Sequence, residues 1–342
     1  MYNVGTKIIS KVDASRVETL GPSTGSRQCT ARIYYPTSDV GGKKADLGKN
    51  AVGEMFVDAS HVKDERFPVI VYNHGYGAIM ESNNHLCCEL AANGYIVVAV
   101  GHAYEAESVT LESGSTIKLD KNVTKKVMGP VLPAAFSSLR LKSASGTYVE
   151  QYKQFLEFQN KYGSFLVDRL EQWAKDVLVI MAEVKERLAD VIDLDFGIGI
   201  TGHSFGGCLA YYMCQNYREY SCGVNIDGAL FGHYDDFIMS KPFFQICSKG
   251  NESVVSRSLI ITEAPVYFAV FNKLSHIGFT DMKFAKKTAP GYGSMPADVM
   301  STNLKRIHTQ FFNLYLKREK EEIDIVNNDY VKTSIVNKSK SF

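Results

Sequence analysis

Long apolar runs are missing from this chain. The strongest, YIVVAV at 95–100, is far too short to cross a bilayer. The N-terminal stretch MYNVGTKIISKVDASRVETL breaks every short apolar run with Lys, Asp, Arg or Glu. It therefore has no secretory h-region, and the chain is expected in the cytoplasm. A surplus of charge is missing too. The 38 basic residues face 37 acidic ones, so no global field draws in nucleic acid or anionic lipid, and there is no polybasic tail. A nucleic-acid partner is not expected. The seven cysteines (29, 87, 88, 208, 214, 222 and 247) form an odd set without zinc-ligand spacing. They are expected to be reduced packing residues, with no metal and no organic cofactor. Internal repeats and Pro-, Ser- or Gln-rich linkers are absent as well.

What remains is a chain of 342 residues, 45% hydrophobic, long enough for one large core or two modest ones. Strand-like and helix-like segments alternate along it, the pattern of an α/β fold with a largely parallel sheet. CTARIYYP (29–36) is an early strand, and a polar stretch at about 37–66 loops over the surface. FPVIVYNHGYG (67–77) is a buried strand that stops at a glycine-rich turn, and YIVVAV is the next. Between them NNHLCCELAAN fits a helix capped by Gly94. FGIGI (196–200), CGVNIDG (222–228), PFFQIC (242–247) and PVYFAVFN (265–272) continue the strand series, and NLKRIHTQFFNLYL (303–316) closes it as a helix.

A long helix ahead of residue 196 carries Leu166, Leu170, Trp173, Val177, Met181, Val184 and Leu188 at three- and four-residue steps. The organisation expected is one domain over 1–317 with an insertion at about 120–165, followed by a charged peripheral tail at 318–342. The insertion, with MGPVLPAAF at its centre, is open to two readings: part of a lid or lipid-facing surface, or an ordinary surface excursion. Transient contact with a membrane or lipid surface stays open with it, as does the oligomeric state.

Within ITGHSFGGCLAYYM, Ser204 stands between Gly202 and Gly206 at the junction of an expected strand and an expected helix. That is the context of a nucleophile elbow, whose serine sits on a strained turn with small residues two positions away on each side. The alternative is a glycine-rich turn whose serine only caps the helix. A serine hydroxyl needs a general base. In this fold the acid and then the histidine follow the serine along the chain. His276, in SHIGFTD just after the last strand, is the expected base. His308 lies within the closing helix, and His233 comes too early for an acid to intervene. Asp227, at the end of GVNID, is the expected acid, against its other reading as a turn former. Asp235, Asp236 and Glu263 are weaker rivals. The oxyanion hole should combine the Phe205 N–H with one from NHGYG, where Tyr76 N–H is the expected donor. His74 and His203 are expected to be structural, His74 bracing the loop.

The ordered set FPVIVYNHGYGA, ANGYIVVAVGHAYEAES, GHSFGG, NIDG and SHIGFTD resembles the platelet-activating-factor acetylhydrolase family, the calcium-independent group VII phospholipases A2. The likeness runs from RIYYP at 32–36 to about residue 316. It implies the α/β-hydrolase fold, a mostly parallel central sheet with helices on both faces. Matched position by position, it implies a triad of Ser204, Asp227 and His276 and oxyanion donors on the backbones of Tyr76 and Phe205. It also implies an ester substrate, a phospholipid with a short or oxidised sn-2 acyl group. Two other readings stand beside it. One is a general carboxylesterase, polyesterase or dienelactone-hydrolase-like enzyme. The other, from a different class, is a catalytically silent fold used for binding.

Overall fold

A computed structural model of the chain describes residues 1–22, 25–45, 52–128, 148–234, 238–255, 261–287, 289, 291–319, 322–324 and 326–336. It opens with two long antiparallel strands, β1 (Asn3–Val17) and β2 (Ser26–Thr37), and a short β3 (Phe56–Val57). The parallel core follows with β4 (Phe67–Asn73) and β5 (Ile96–His102), joined by the helix Asn84–Ala92. A small ribbon, β6 (Ser108–Thr110) and β7 (Thr116–Lys118), comes next. The helices Lys121–Met128, Tyr148–Tyr162 and Ser164–Arg187 then lead to β8 (Ile192–Asp193) and β9 (Ile198–His203). The helix Phe205–Asn216 connects β9 to β10 (Tyr220–Ile226). β11 (Ile238–Met239), β12 (Phe243–Ser248), β13 (Ile261–Thr262) and β14 (Val266–Phe271) precede the closing helix Ala297–Phe312 and β15 (Val331–Val336).

The sheet order is β15-β14-β12-β10-β9-β4-β5-β2-β1-β3, with β8 beside β4. From β5 to β14 all neighbours are parallel. Every residue of β4 and β5 is buried, because both faces of the strand are covered. Alternate residues feed two separate cores. Val69 and Val71 pack with Trp173, Val177 and Leu209 on one face, while Ile70 and Tyr72 pack with Leu86, Leu304 and Phe311 on the other. This is the α/β-hydrolase architecture.

β1 carries charges within a strand because it lies near the sheet edge. Apart from Val4–Thr6 and Ile9 its residues are partly or fully exposed, and the ladder to β2 supplies the pairing that composition does not advertise. The polar stretch expected to loop over the surface at 37–66 also contributes Met55, Phe56 and Ala59 to the interior. The closing helix begins at Ala297, and its final turn widens over 313–317 before Arg318 takes a left-handed conformation. Of the insertion centre MGPVLPAAF, residues 129–136 lie outside the described residues. The helix Tyr148–Tyr162 docks through Gln159, whose side-chain amide exchanges two hydrogen bonds with the Gly232 backbone.

The chain beyond 317 departs from the expected peripheral tail. Val331–Val336 pairs antiparallel with β14 from Phe271↔Val331 to Val266↔Val336, and Ile323, Val326 and Val331 are buried in the second core. The physical reason is that strand alternation needs only every other residue apolar. A segment with Asn, Asp and Lys between its hydrophobes shows no helical face yet completes a sheet. Val331→Ala should therefore destabilise the protein by about 2 kcal/mol. Ile335→Ala, at a half-exposed position, should stay within about 0.5 kcal/mol. Urea unfolding of both variants measures the contrast, and equal small losses would place the strand outside the cooperative fold.

Candidate active site

β4, β9, β10, β12 and β14 end on the same side, and the residues that follow them converge there. Register makes the first approach: Asn73 lies opposite Gly202, and Ile226 opposite His203. The turn after β9 thus sits between the loop after β4 and the end of β10. A Cβ on Gly206 would overlap the Asn73 carbonyl, and one on Gly202 would overlap Gly206. Only glycine lets strand, helix and neighbouring loop pass this closely. Ser204 takes φ 57° and ψ −119°, a conformation few non-glycine residues adopt. It is held there by its N–H donating to Ile226 O at 2.8 Å and by its carbonyl accepting from Gly207 and Cys208 N–H at 3.0 Å each.

Ser204 Oγ lies 2.8 Å from His276 Nε2, and His276 Nδ1 lies 2.8 Å from Asp227 Oδ2. The hydroxyl donates to the ring, and the ring's Nδ1–H donates to the carboxylate. The Asp227 side chain is sealed from solvent while that of His276 is 39% exposed. Asp227 also has a positive φ of 59°, and its carboxylate accepts from Ser248 N–H at 2.7 Å, Ser248 Oγ–H and Asn251 Nδ2–H at 2.9 Å. Ser248 and Asn251 carry no signal in the sequence. They are placed by the end of β12, which pairs with β10.

Tyr76 and Phe205 line, with Ser204 and His276, a cavity of about 420 Å³ whose other walls include Leu166 and Phe231. The Phe205 N–H is among the unpaired amides of a helix start, where an anion is favoured. The Tyr76 ring stacks on Trp173, with centroids 6.0 Å apart, and meets Phe205 edge-on. Trp173 in turn stacks on His102 at 3.6 Å. Beneath them lies a buried ionic cluster. Arg27 bonds both oxygens of Asp176, Arg16 and His102 also bond Asp176, and Arg169 grips Glu105 bidentately. Burial alone would raise the Asp176 carboxyl, but the Arg27 guanidinium and the His102 and Arg27 hydrogen bonds outweigh it and hold it well below the usual carboxylate range. The Glu105 carbonyl accepts Gly77 N–H at 2.9 Å, which ties the loop after β4 to this cluster.

The other sequence candidates fall elsewhere. His233 is exposed, and Glu263 is exposed with its amide on Met239 O. Asp235 and Asp236 lie outside the described residues. His308 is buried in the closing helix between Leu304 O and Thr201 Oγ1. His203 packs against His276, ring centroids 4.7 Å apart, and donates Nε2–H to the His276 carbonyl at 2.9 Å. All seven cysteines are buried free thiols. Among the described residues, no group of three His, Cys, Asp or Glu is arranged to hold a metal, and no helix is long and apolar enough to cross a membrane.

Fold and site together define an α/β-hydrolase with a Ser-His-Asp line. A ferulic acid esterase from Streptomyces cinnamoneus shares this fold at a TM-score of 0.72, with 20% identity over 98% of this chain and 97% of that one. The chain belongs to the family described as platelet-activating factor acetylhydrolase, isoform II, whose model matches residues 43–260. Ser204 and Asp227 lie inside that match and His276 beyond it. The platelet-activating factor acetylhydrolase of Bos taurus is 23% identical over 269 residues, 75% of this chain and 59% of the relative. That of Gallus gallus is 23% identical over 196 residues, 54% and 43% respectively. The matched region thus spans about half the length of these relatives.

Burial is the main reason that His74 and His203 are pushed down to about 3 and His102 and His308 to about 4. Unfolded, the same rings titrate near ~6.5, so between these values the unfolded chain binds more protons. Their contribution to stability is complete above pH ~6.5 and is lost as pH falls toward about 4. Thermal melts should be flat from pH 8 to 7 and then drop by several degrees per unit below about 6.5. A constant melting temperature from pH 7 to 5 would show that these rings are not neutral in the fold.

Proposed function

We propose that this chain is a serine ester hydrolase that works through an acyl-enzyme. The observation that carries the reading is the continuous Asp227–His276–Ser204 line, 2.8 Å at each step, ending on a strained serine that faces a cavity. His276 Nε2 takes the Ser204 proton as Oγ attacks the ester carbonyl. Asp227 holds the ring with Nδ1 protonated and stabilises the imidazolium that forms. The amides of Tyr76 and Phe205 receive the developing oxyanion. His276 then returns the proton to the leaving alcohol. Water repeats the sequence on the acyl-enzyme and frees the serine.

The substrate class we propose is a phospholipid with a short or oxidised sn-2 acyl group, as in 1-alkyl-2-acetylglycerophosphocholine. Membership of the family supports it, and so do the names of the bovine and chicken relatives. The aromatic and aliphatic walls beside Ser204, from Tyr76, Leu166 and Phe231, suit the apolar part of such an ester. A soluble cytoplasmic protein that meets lipid surfaces transiently is the setting we propose.

A fluorophosphonate should label the wild type at Ser204 and leave Ser204→Ala unlabelled. Phosphatidylcholine with an sn-2 acetyl group should be cleaved without calcium, and the sn-2 palmitoyl analogue should not. Asp227→Asn should lower kcat by about 10³–10⁴-fold, since the imidazole loses its fixed tautomer. Labelling with no cleavage of either lipid would keep the serine hydrolase and remove the phospholipid. No labelling would leave a binding protein.

A further inference from the structure

We propose that His74 is a positioning residue for the oxyanion hole. Its Nδ1–H, donated to the Gly75 carbonyl, fixes and polarises the peptide unit whose opposite end is the Tyr76 N–H. The inference rests on the ester-hydrolase reading and assigns a chemical task to a histidine that the triad does not use.

The geometry of a single peptide carries the argument. His74 Nδ1 lies 2.7 Å from Gly75 O, and Ala78 N–H donates to the same oxygen at 3.0 Å. The Gly75 carbonyl and the Tyr76 amide belong to one planar trans unit, so its N–H points away from its C=O. Pinning the oxygen on one side aims the hydrogen to the other. The unit runs against the nucleophile: a Cβ on Gly75 would stand 3.1 Å from Ser204 Cβ. Tyr76 lines the cavity beside Ser204 and Phe205. A carbonyl that already accepts hydrogen bonds also makes its own amide a stronger donor, because the peptide dipoles polarise one another.

The ring's tautomer is set from outside the loop. The backbone N–H of His102, the last residue of β5, donates to His74 Nε2 at 3.3 Å. That nitrogen therefore offers a lone pair, and the proton must sit on Nδ1. The ring is completely buried, with His102 and Trp173 about it at 5.2 and 5.1 Å, and burial keeps it neutral with its pKa near about 3. A protonated ring could not accept the His102 amide.

Two substitutions separate this role from simple packing. Asparagine places an N–H near the Nδ1 position, whereas leucine of similar shape has no donor. His74→Leu should lower kcat by about 10- to 100-fold with KM within about twofold, a fraction of the about 10²–10³-fold lost when an oxyanion donor itself is removed. Inhibition by a trifluoromethyl ketone, which forms the tetrahedral oxyanion, should weaken by the same factor. His74→Asn should recover most of both losses. Equal losses in the two variants, or a change in KM alone, would overturn the inference while leaving an active esterase. A wild type that neither hydrolyses esters nor reacts with a fluorophosphonate would overturn the ester-hydrolase reading and this inference with it. If either variant fails to fold, ¹⁵N-histidine NMR of the wild type decides. His74 must show Nδ1 protonated and Nε2 bare at pH 7, and the reverse tautomer sinks the proposal.

Discussion

The contact between two strand ends is the constraint on which this site depends. β4 and β9 lie side by side at the place where the sheet's connections diverge, β4 leading to β5 on one side and β9 to β10 on the other. Asn73 opposes Gly202, and no side chain fits between them and the turn at Gly206. That closeness forces Ser204 into its unusual conformation and brings the Gly75–Tyr76 peptide against it. A single methyl group at Gly202 or Gly206 would push Ser204 and the loop after β4 apart.

Holding a loop this close takes a rigid foundation. The single tryptophan supplies one face of it, stacked between the Tyr76 and His102 rings. Below it Asp176 is gripped by Arg27 and Arg16, and Glu105 by Arg169. Buried ion pairs of this kind add little net stability, because desolvation offsets most of the attraction, yet removing one partner costs about 3–5 kcal/mol. Their effect is on geometry. Glu105 holds Gly77 through its carbonyl and Arg169 through its side chain, so the charge cluster and the loop after β4 cannot move independently.

The Asp227 side is arranged differently. Asp227 lies in a dry corner with Ser248 and Asn251 donating to its carboxylate, while the His276 ring reaches partly into solvent. His203 fastens the His276 backbone from below. The loop that follows is held in turn by the helix Asn84–Ala92 and the residue before it. Asn83 donates to Phe279 O at 2.6 Å, and His85 bonds the Asp281 carboxylate. The pattern SHIGFTD thus carries both His276 and the residues that clamp its loop.

Much of this was determined by local sequence. The doubly buried strands announced themselves as unbroken apolar runs, since a strand covered on both faces has no reason to alternate. The tight turn at Ser204 showed through Gly202 and Gly206, because close backbone approach tolerates no other residue there. Chain order singled out Ser204, Asp227 and His276, and these are the residues that hydrogen bonds join. Other features were decided only in three dimensions. Ser248 and Asn251 meet Asp227 because β12 pairs with β10, and no local pattern encodes a partner from another strand. The charge cluster gathers Arg16, Arg27, Glu105, Arg169 and Asp176 from four distant segments, each of which by itself looks like a solvated surface residue. β15 and the charged β1 take their structure from a ladder partner rather than from their own composition. Pairing across long sequence separation is a property of the assembled sheet, so only the tertiary structure could settle it.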